Sequence, residues 1–210
     1  TGRDRCAMID LVPLHILLTF ASAGVLLNLT PGSDVMFATA SGLAGGPRAG
    51  MAAGAVVGLG GLWHVGLAAF GVAALLAAHP AAMTGLRWFG AGYLLYLAHG
   101  AWTAGPAQAT PGTANLGRAF WRGFLTNALN PKVALFVLAF LPQFTDPARG
   151  PVWQQILILG AVFTATGMVI TAGYGALAGI AGQALAARMG VMNKLAAGVF
   201  GLLALRLIRE

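Results

Sequence analysis

The chain has 210 residues, of which 58% are apolar and only 8% charged, against about 25% charged in a soluble domain. So few charges cannot cover a water-facing surface, and a soluble fold is excluded. The net charge of +7 comes from basic residues scattered singly, which reads as juxtamembrane positive charge and excludes a nucleic-acid partner.

In chain order, residues 1–7 precede Met8-Ile9-Asp10, which looks like a natural start, and are read as an extension without function. Their Cys6 is the single cysteine, so no intrachain disulfide or thiolate cluster can form. Arg3 and Arg5 ahead of Ala21-Ser22-Ala23 resemble a signal peptide, but the apolar run has the length of a membrane span. Hydrophobic runs predict six spans, at Thr19–Ser41, Met51–Ala78, Leu86–Trp102, Ala119–Leu141, Val152–Ala181 and Val191–Ile208. Nothing alternates as barrel strands must. Breaks are predicted at Gly42–Arg48, at His79-Pro80, across the linker 104–117 with Pro106 and Pro111, at Pro142–Pro151 and at Arg188–Lys194. Trp88, Trp102, Trp121 and Trp153 fall at span ends, as interfacial aromatics do. Gly46, Gly50, Gly54 and Gly58 recur every fourth residue and predict a helix-packing groove.

An internal repeat organises these spans. Leu29-Thr30-Pro31-Gly32-Ser33-Asp34 overlays Leu129-Asn130-Pro131-Lys132-Val133-Ala134 at an offset of 100 residues, and Gly90–Leu97 similarly matches Gly198–Leu205. Three spans per repeat force the second copy to enter from the opposite side. The expected fold is therefore an all-α integral membrane protein of six transmembrane helices. They form two inverted three-helix repeats, 8–103 and 118–210, with helices 1 and 4 broken.

The chemistry is expected at the breaks. A mid-span proline removes a backbone donor and ends or kinks the helix, so the chain should restart near Pro31 and Pro131, with Thr30 and Asn130 as N-caps. Half-helix starts present free N–H groups and partial positive charge, which suit a carboxylate. Asp34 is the one carboxylate predicted inside the bilayer, where insertion costs about 2.5–3.5 kcal/mol. It reads as a binder of a cationic group or a proton, or as a first-turn acid favoured by the helix dipole. Lys132 reads as the partner of Asp34 or of a substrate carboxylate, or as a residue snorkelling to the interface. Asn127 could add a donor or a helix-packing bond. The candidate site is thus Thr30, Pro31, Gly32, Asp34, Asn127, Asn130, Pro131 and Lys132.

His15, His64, His79 and His99 are dispersed without i, i+4 spacing, so no metal site is expected. His64 could join a proton path, though a hydrogen-bonded packing role suits it better. There is no HExxH, G-x-S-x-G or phosphate loop, so neither an enzyme nor a cofactor is expected. A divalent-cation exporter would need clustered ligands, and a non-transporting scaffold would show no flux. Both stand as alternatives.

At these residues the chain resembles the lysine-exporter and homoserine/threonine-efflux translocators, the LysE/RhtB family, over nearly its whole length from Met8. The resemblance rests on Pro31-Gly32-x-Asp34, Ala44–Gly50, Gly92–Leu97, Arg122–Lys132 and Phe140–Phe144. Ser33 stands where that family usually carries proline. The resemblance implies a multi-pass inner-membrane exporter of amino acids or related small amino compounds, with protons and membrane lipid as its other partners. A homo-oligomer is compatible with it.

Overall fold

The computed structural model describes residues 11–79, 81–103 and 116–209. The 1–7 extension with Cys6, Pro80, and most of the 104–117 linker lie outside them. Among the described residues every regular element is helical.

Helix α1 (Leu14–Leu29) starts after Pro13 and is apolar all round, burying Phe20, Ala23, Gly24 and Leu27 as one stripe at helical spacing. Helix α2 (Ser33–Ala78) follows the first break and is itself folded in two. Gly46 leaves helical geometry at φ 80° and ψ −177°, a conformation open to glycine and strained for other residues. Phe37 and Ala38 on one side of it share a buried cluster with Ala53 and Val57 on the other. A straight helix would separate Phe37 from Val57 by about 30 Å, so the two arms run antiparallel. This corrects one expectation: Gly46 makes the turn and does not line the groove. The groove consists of Gly42, Gly50, Gly54 and Gly58, where an added Cβ would strike Gly175, Ala172 or Met168.

The second arm passes through a π-helical turn, Leu67–Val72, and ends at Ala78. Helix α3 (Ala82–Thr103) follows. Helices α4 (Leu116–Ala128) and α5 (Pro131–Phe144) meet at the second break with a bend of 46°. The 145–151 loop is braced by buried Gln155, which accepts from the Asp146 N–H at 2.9 Å and donates to the Asp146 carbonyl at 2.8 Å. This loop lies beside Leu76 and Ala77, at the opposite end of the second α2 arm from Gly46.

Helix α6 (Val152–Arg209) stays helical through the predicted break at Arg188–Lys194. No proline interrupts that stretch, and its Arg, Met and Lys residues are good helix formers, so polarity alone does not end the helix. Its first part contributes Leu159 and Phe163 and its last part Phe200 and Ala204 to one core cluster. Phe163 and Phe200 would stand about 55 Å apart on a straight rod, so α6 is not straight.

Among the described residues, two helices can cross a membrane by length and composition, Ser33–Ala78 and Val152–Ile180, or three if the bent α4–α5 pair is one span. That measure does not establish six crossings. The core joins α1, α5 and α6 through aromatic contacts, with Phe136 stacked on Phe163 at 5.0 Å and Phe20 edge-on to Phe144 at 5.3 Å. Outward, Phe70, Leu129, Val169, Ile180 and Leu202 are exposed, as are Trp88, Trp102 and Trp121. Water would disfavour such a surface, and lipid suits it.

Candidate functional site at the two helix breaks

The interior inverts that surface, because the buried polar residues gather where the breaks meet. Asp34, 6% exposed, sits in the first turn of α2, and Lys132, 8% exposed, in the first turn of α5. Thr30, Asn127, Asn130 and His64 are buried with them.

The two breaks reach into one another. Asn127, just before the second break, donates from Nδ2 to Asp34 Oδ2 at 2.8 Å, just after the first. Lys132, just after the second, donates from Nζ to the carbonyls of Leu27 at 3.2 Å and Thr30 at 2.9 Å, which close the first helix. The lysine reads from the sequence as a partner of Asp34 or of a substrate carboxylate, or as a residue snorkelling to the interface; its ammonium does not snorkel but caps the carbonyl end of α1. It stays buried while still acting electrostatically on the Asp34 carboxylate. Each charge thus occupies the favourable end of a helix dipole, the acid at an N-terminus and the base at a C-terminus. Hydrogen bonds to charged groups contribute about 1.5–3 kcal/mol each, enough to offset an insertion cost of about 2.5–3.5 kcal/mol.

The restarts differ in detail. Asn130 is the expected N-cap, its Oδ1 accepting from Lys132 N–H at 3.0 Å with Pro131 in the first helical turn. Thr30 is not a cap for α2. Its hydroxyl turns back to the Leu26 carbonyl at 2.9 Å and its N–H to Leu27, so it finishes α1. Gly32 takes the N-cap position without a side-chain cap. A Cβ there would lie 3.1 Å from Lys132 Nζ, so glycine is what admits the ammonium. Ser33 approaches Asp34 Oδ1 with its hydroxyl at 3.4 Å. Pro131 is exposed and Pro31 half-buried, so the prolines shape the breaks while the polar neighbours line the interior.

Residues not singled out from the sequence complete the site. Tyr174 donates to the Leu29 carbonyl at 2.9 Å, and Asn28 donates to Thr166 Oγ1 and the Phe163 carbonyl, both at 3.3 Å. His64 Nε2 lies 3.0 Å from the Asn127 carbonyl, the packing bond favoured for it. Among the described residues, Asn127 Oδ1, Asn130 Nδ2, Thr164 Oγ1 and His64 Nδ1 are buried without a hydrogen-bond partner. Gly61 lies beside this group, where an added Cβ would make ordinary contact with Thr164 Oγ1 at 3.4 Å and Asn127 Oδ1 at 3.8 Å. A lone Tyr in a charge-free stretch or an Asn in an apolar helix was the available signal. Neither has a spacing that names its partner.

Helical in every regular element among the described residues, apolar outside and holding a buried cluster of charged and polar side chains, this is a membrane protein. Residues 25–210 match the LysE type translocator family, and the chain belongs to that family. It is 34% identical to an uncharacterized membrane protein of Vibrio cholerae, with 89% of this chain and 93% of that protein covered. It is 35% identical to a homoserine/homoserine lactone efflux protein of Salmonella typhimurium, covering 73% and 75%. With a leucine efflux protein of Salmonella choleraesuis it shares 30% identity, covering 61% and 62%. No solved structure matches the chain.

Proposed function

We propose that this protein is an inner-membrane secondary transporter that exports an amino acid, or a related small amino compound, in exchange for protons. The observation that carries the reading is the buried acid and base delivered to one chamber by two interlocked helix breaks. A zwitterion needs both. Its ammonium would meet Asp34, and its carboxylate would meet Lys132 and the half-helix starts at Gly32–Asp34 and Asn130–Lys132. The unpartnered polar atoms of Asn127, Asn130 and Thr164 are what a small polar solute would satisfy. When the chamber is empty of solute, Asp34 can take the coupling proton. The relatives named for homoserine and leucine efflux agree with this substrate class.

Alternating access would come from rocking the repeat 8–103 against the repeat 118–210. In support, the Gly46-Pro47 turn and the Asp146-Pro147 loop, equivalent at the repeat offset, lie at opposite ends of the bundle. Replacing Asp34 with Asn tests the mechanism. Export from preloaded vesicles is expected to fall about tenfold or more, the worth of one charge-assisted hydrogen bond, and to lose its dependence on a pH gradient. Unchanged export with unchanged pH dependence removes Asp34 from the mechanism.

A further inference from the structure

A cavity of about 940 Å³ opens beside the 145–151 loop, where α2 ends. Its wall includes Ala69, Phe70, Ala73 and Ala74 of α2, Met83 of α3, and Trp153. That lining offers no charge to an amino-acid zwitterion, and the volume is near the upper end of the roughly 300–1,000 Å³ that small-molecule pockets span.

Arg87 lies one helical turn after Met83 on the same face of α3, and helical side chains lean back toward the N-terminus, which carries the guanidinium toward the cavity. Its Nε is buried with no hydrogen-bond partner among the described residues. A buried guanidinium N–H left without an acceptor is unfavourable, and planar oxyanions answer it best. Arg149 belongs to the loop whose Pro147 and Gly150 form the facing wall, where it pairs with Asp146 at 3.5 Å. Trp153 in the wall and exposed Trp88 beside Arg87 mark the level of lipid headgroups.

We propose that this cavity holds an acyl chain of an anionic phospholipid whose phosphate is bound by Arg87 and Arg149. A diacylglycerol, which has no phosphate, fills the apolar volume but leaves Arg87 unanswered, and a free anion answers Arg87 but leaves the volume unfilled.

The experiment is native mass spectrometry of the full chain released from micelles carrying phosphatidylglycerol and a diacylglycerol of the same acyl chains in equal amounts. The unaltered protein is expected to retain phosphatidylglycerol with a preference of about tenfold, the size of one charge-assisted hydrogen bond. Arg87→Gln should lower that ratio several-fold, with Arg149 keeping the remainder. Ala74→Trp, at an exposed wall position, should abolish retention of both lipids by filling the space. Equal retention of the two lipids, no retained lipid, an unchanged ratio in Arg87→Gln, or displacement of the lipid by inorganic phosphate would overturn the proposal. Should Ala74→Trp not fold, the Arg87→Gln ratio still decides.

Discussion

Lys132 and Gly32 form a pair whose meaning is geometric. The ammonium reaches two carbonyls of α1 because the residue facing it has no side chain. Gly32→Ala should push the flexible lysine tip off Leu27 and Thr30. The expected outcome is a small loss of stability, about 1 kcal/mol, with a disproportionate loss of export, checked by thermal unfolding in detergent beside vesicle flux. Tyr174→Phe removes a donor from the Leu29 carbonyl and should cost about 1 kcal/mol in the same unfolding assay. The charged residues of the chamber were legible in the sequence because an acid or base inside an apolar run is costly enough to need a reason. Their partners were not. Lys132 bonds residues more than a hundred positions away, and no local pattern encodes which carbonyl a long side chain will meet.

Prolines and positive-φ glycines decide where elements end, and these are the boundaries that sequence reading placed well. Pro131 with Asn130 starts α5 as expected, and the Gly42–Arg48 break is the turn at Gly46. Gly46→Ala should destabilise the fold by about 1–3 kcal/mol, because the backbone there lies outside what an alanine adopts, and denaturant unfolding in micelles would measure it. Gly54→Ala tests a different property of the same helix, close approach. Its Cβ would meet the backbone of Ala172, which cannot move aside as a side chain tip can. A loss of about 1–3 kcal/mol follows from overpacking, and a smaller one would show that α2 and α6 can separate without penalty. Boundaries inferred from polarity were less secure. Thr30 serves α1 and not α2, because its hydroxyl finds the Leu26 carbonyl one turn back. Arg188–Lys194 continues a helix because polar residues with good helix propensity interrupt hydrophobicity without interrupting backbone bonding.

At the scale of the whole molecule, the two breaks exchange partners in a reciprocal way. Asn127 reaches Asp34 while Lys132 reaches Leu27, and Leu27 and Asn127 are equivalent at the repeat offset. An inverted arrangement predicts that Ala49 and Ala148 face opposite sides of the membrane. With Cys6 replaced by Ser, single cysteines at those positions should react with a membrane-impermeant maleimide from opposite sides of intact cells and inverted vesicles. Reaction from one side only would defeat the inverted plan. The sequence by itself determined the solvent, the helical class, the places where helices must break and the rare charges that lipid would not tolerate idly. These follow from composition and from the local chemistry of proline and glycine. Tertiary structure alone decided that the α2 arms fold together, that the base caps α1, and that Tyr174, Asn28 and Thr164 join the chamber. Those outcomes depend on distances between residues far apart in the chain, which packing sets and local sequence does not record.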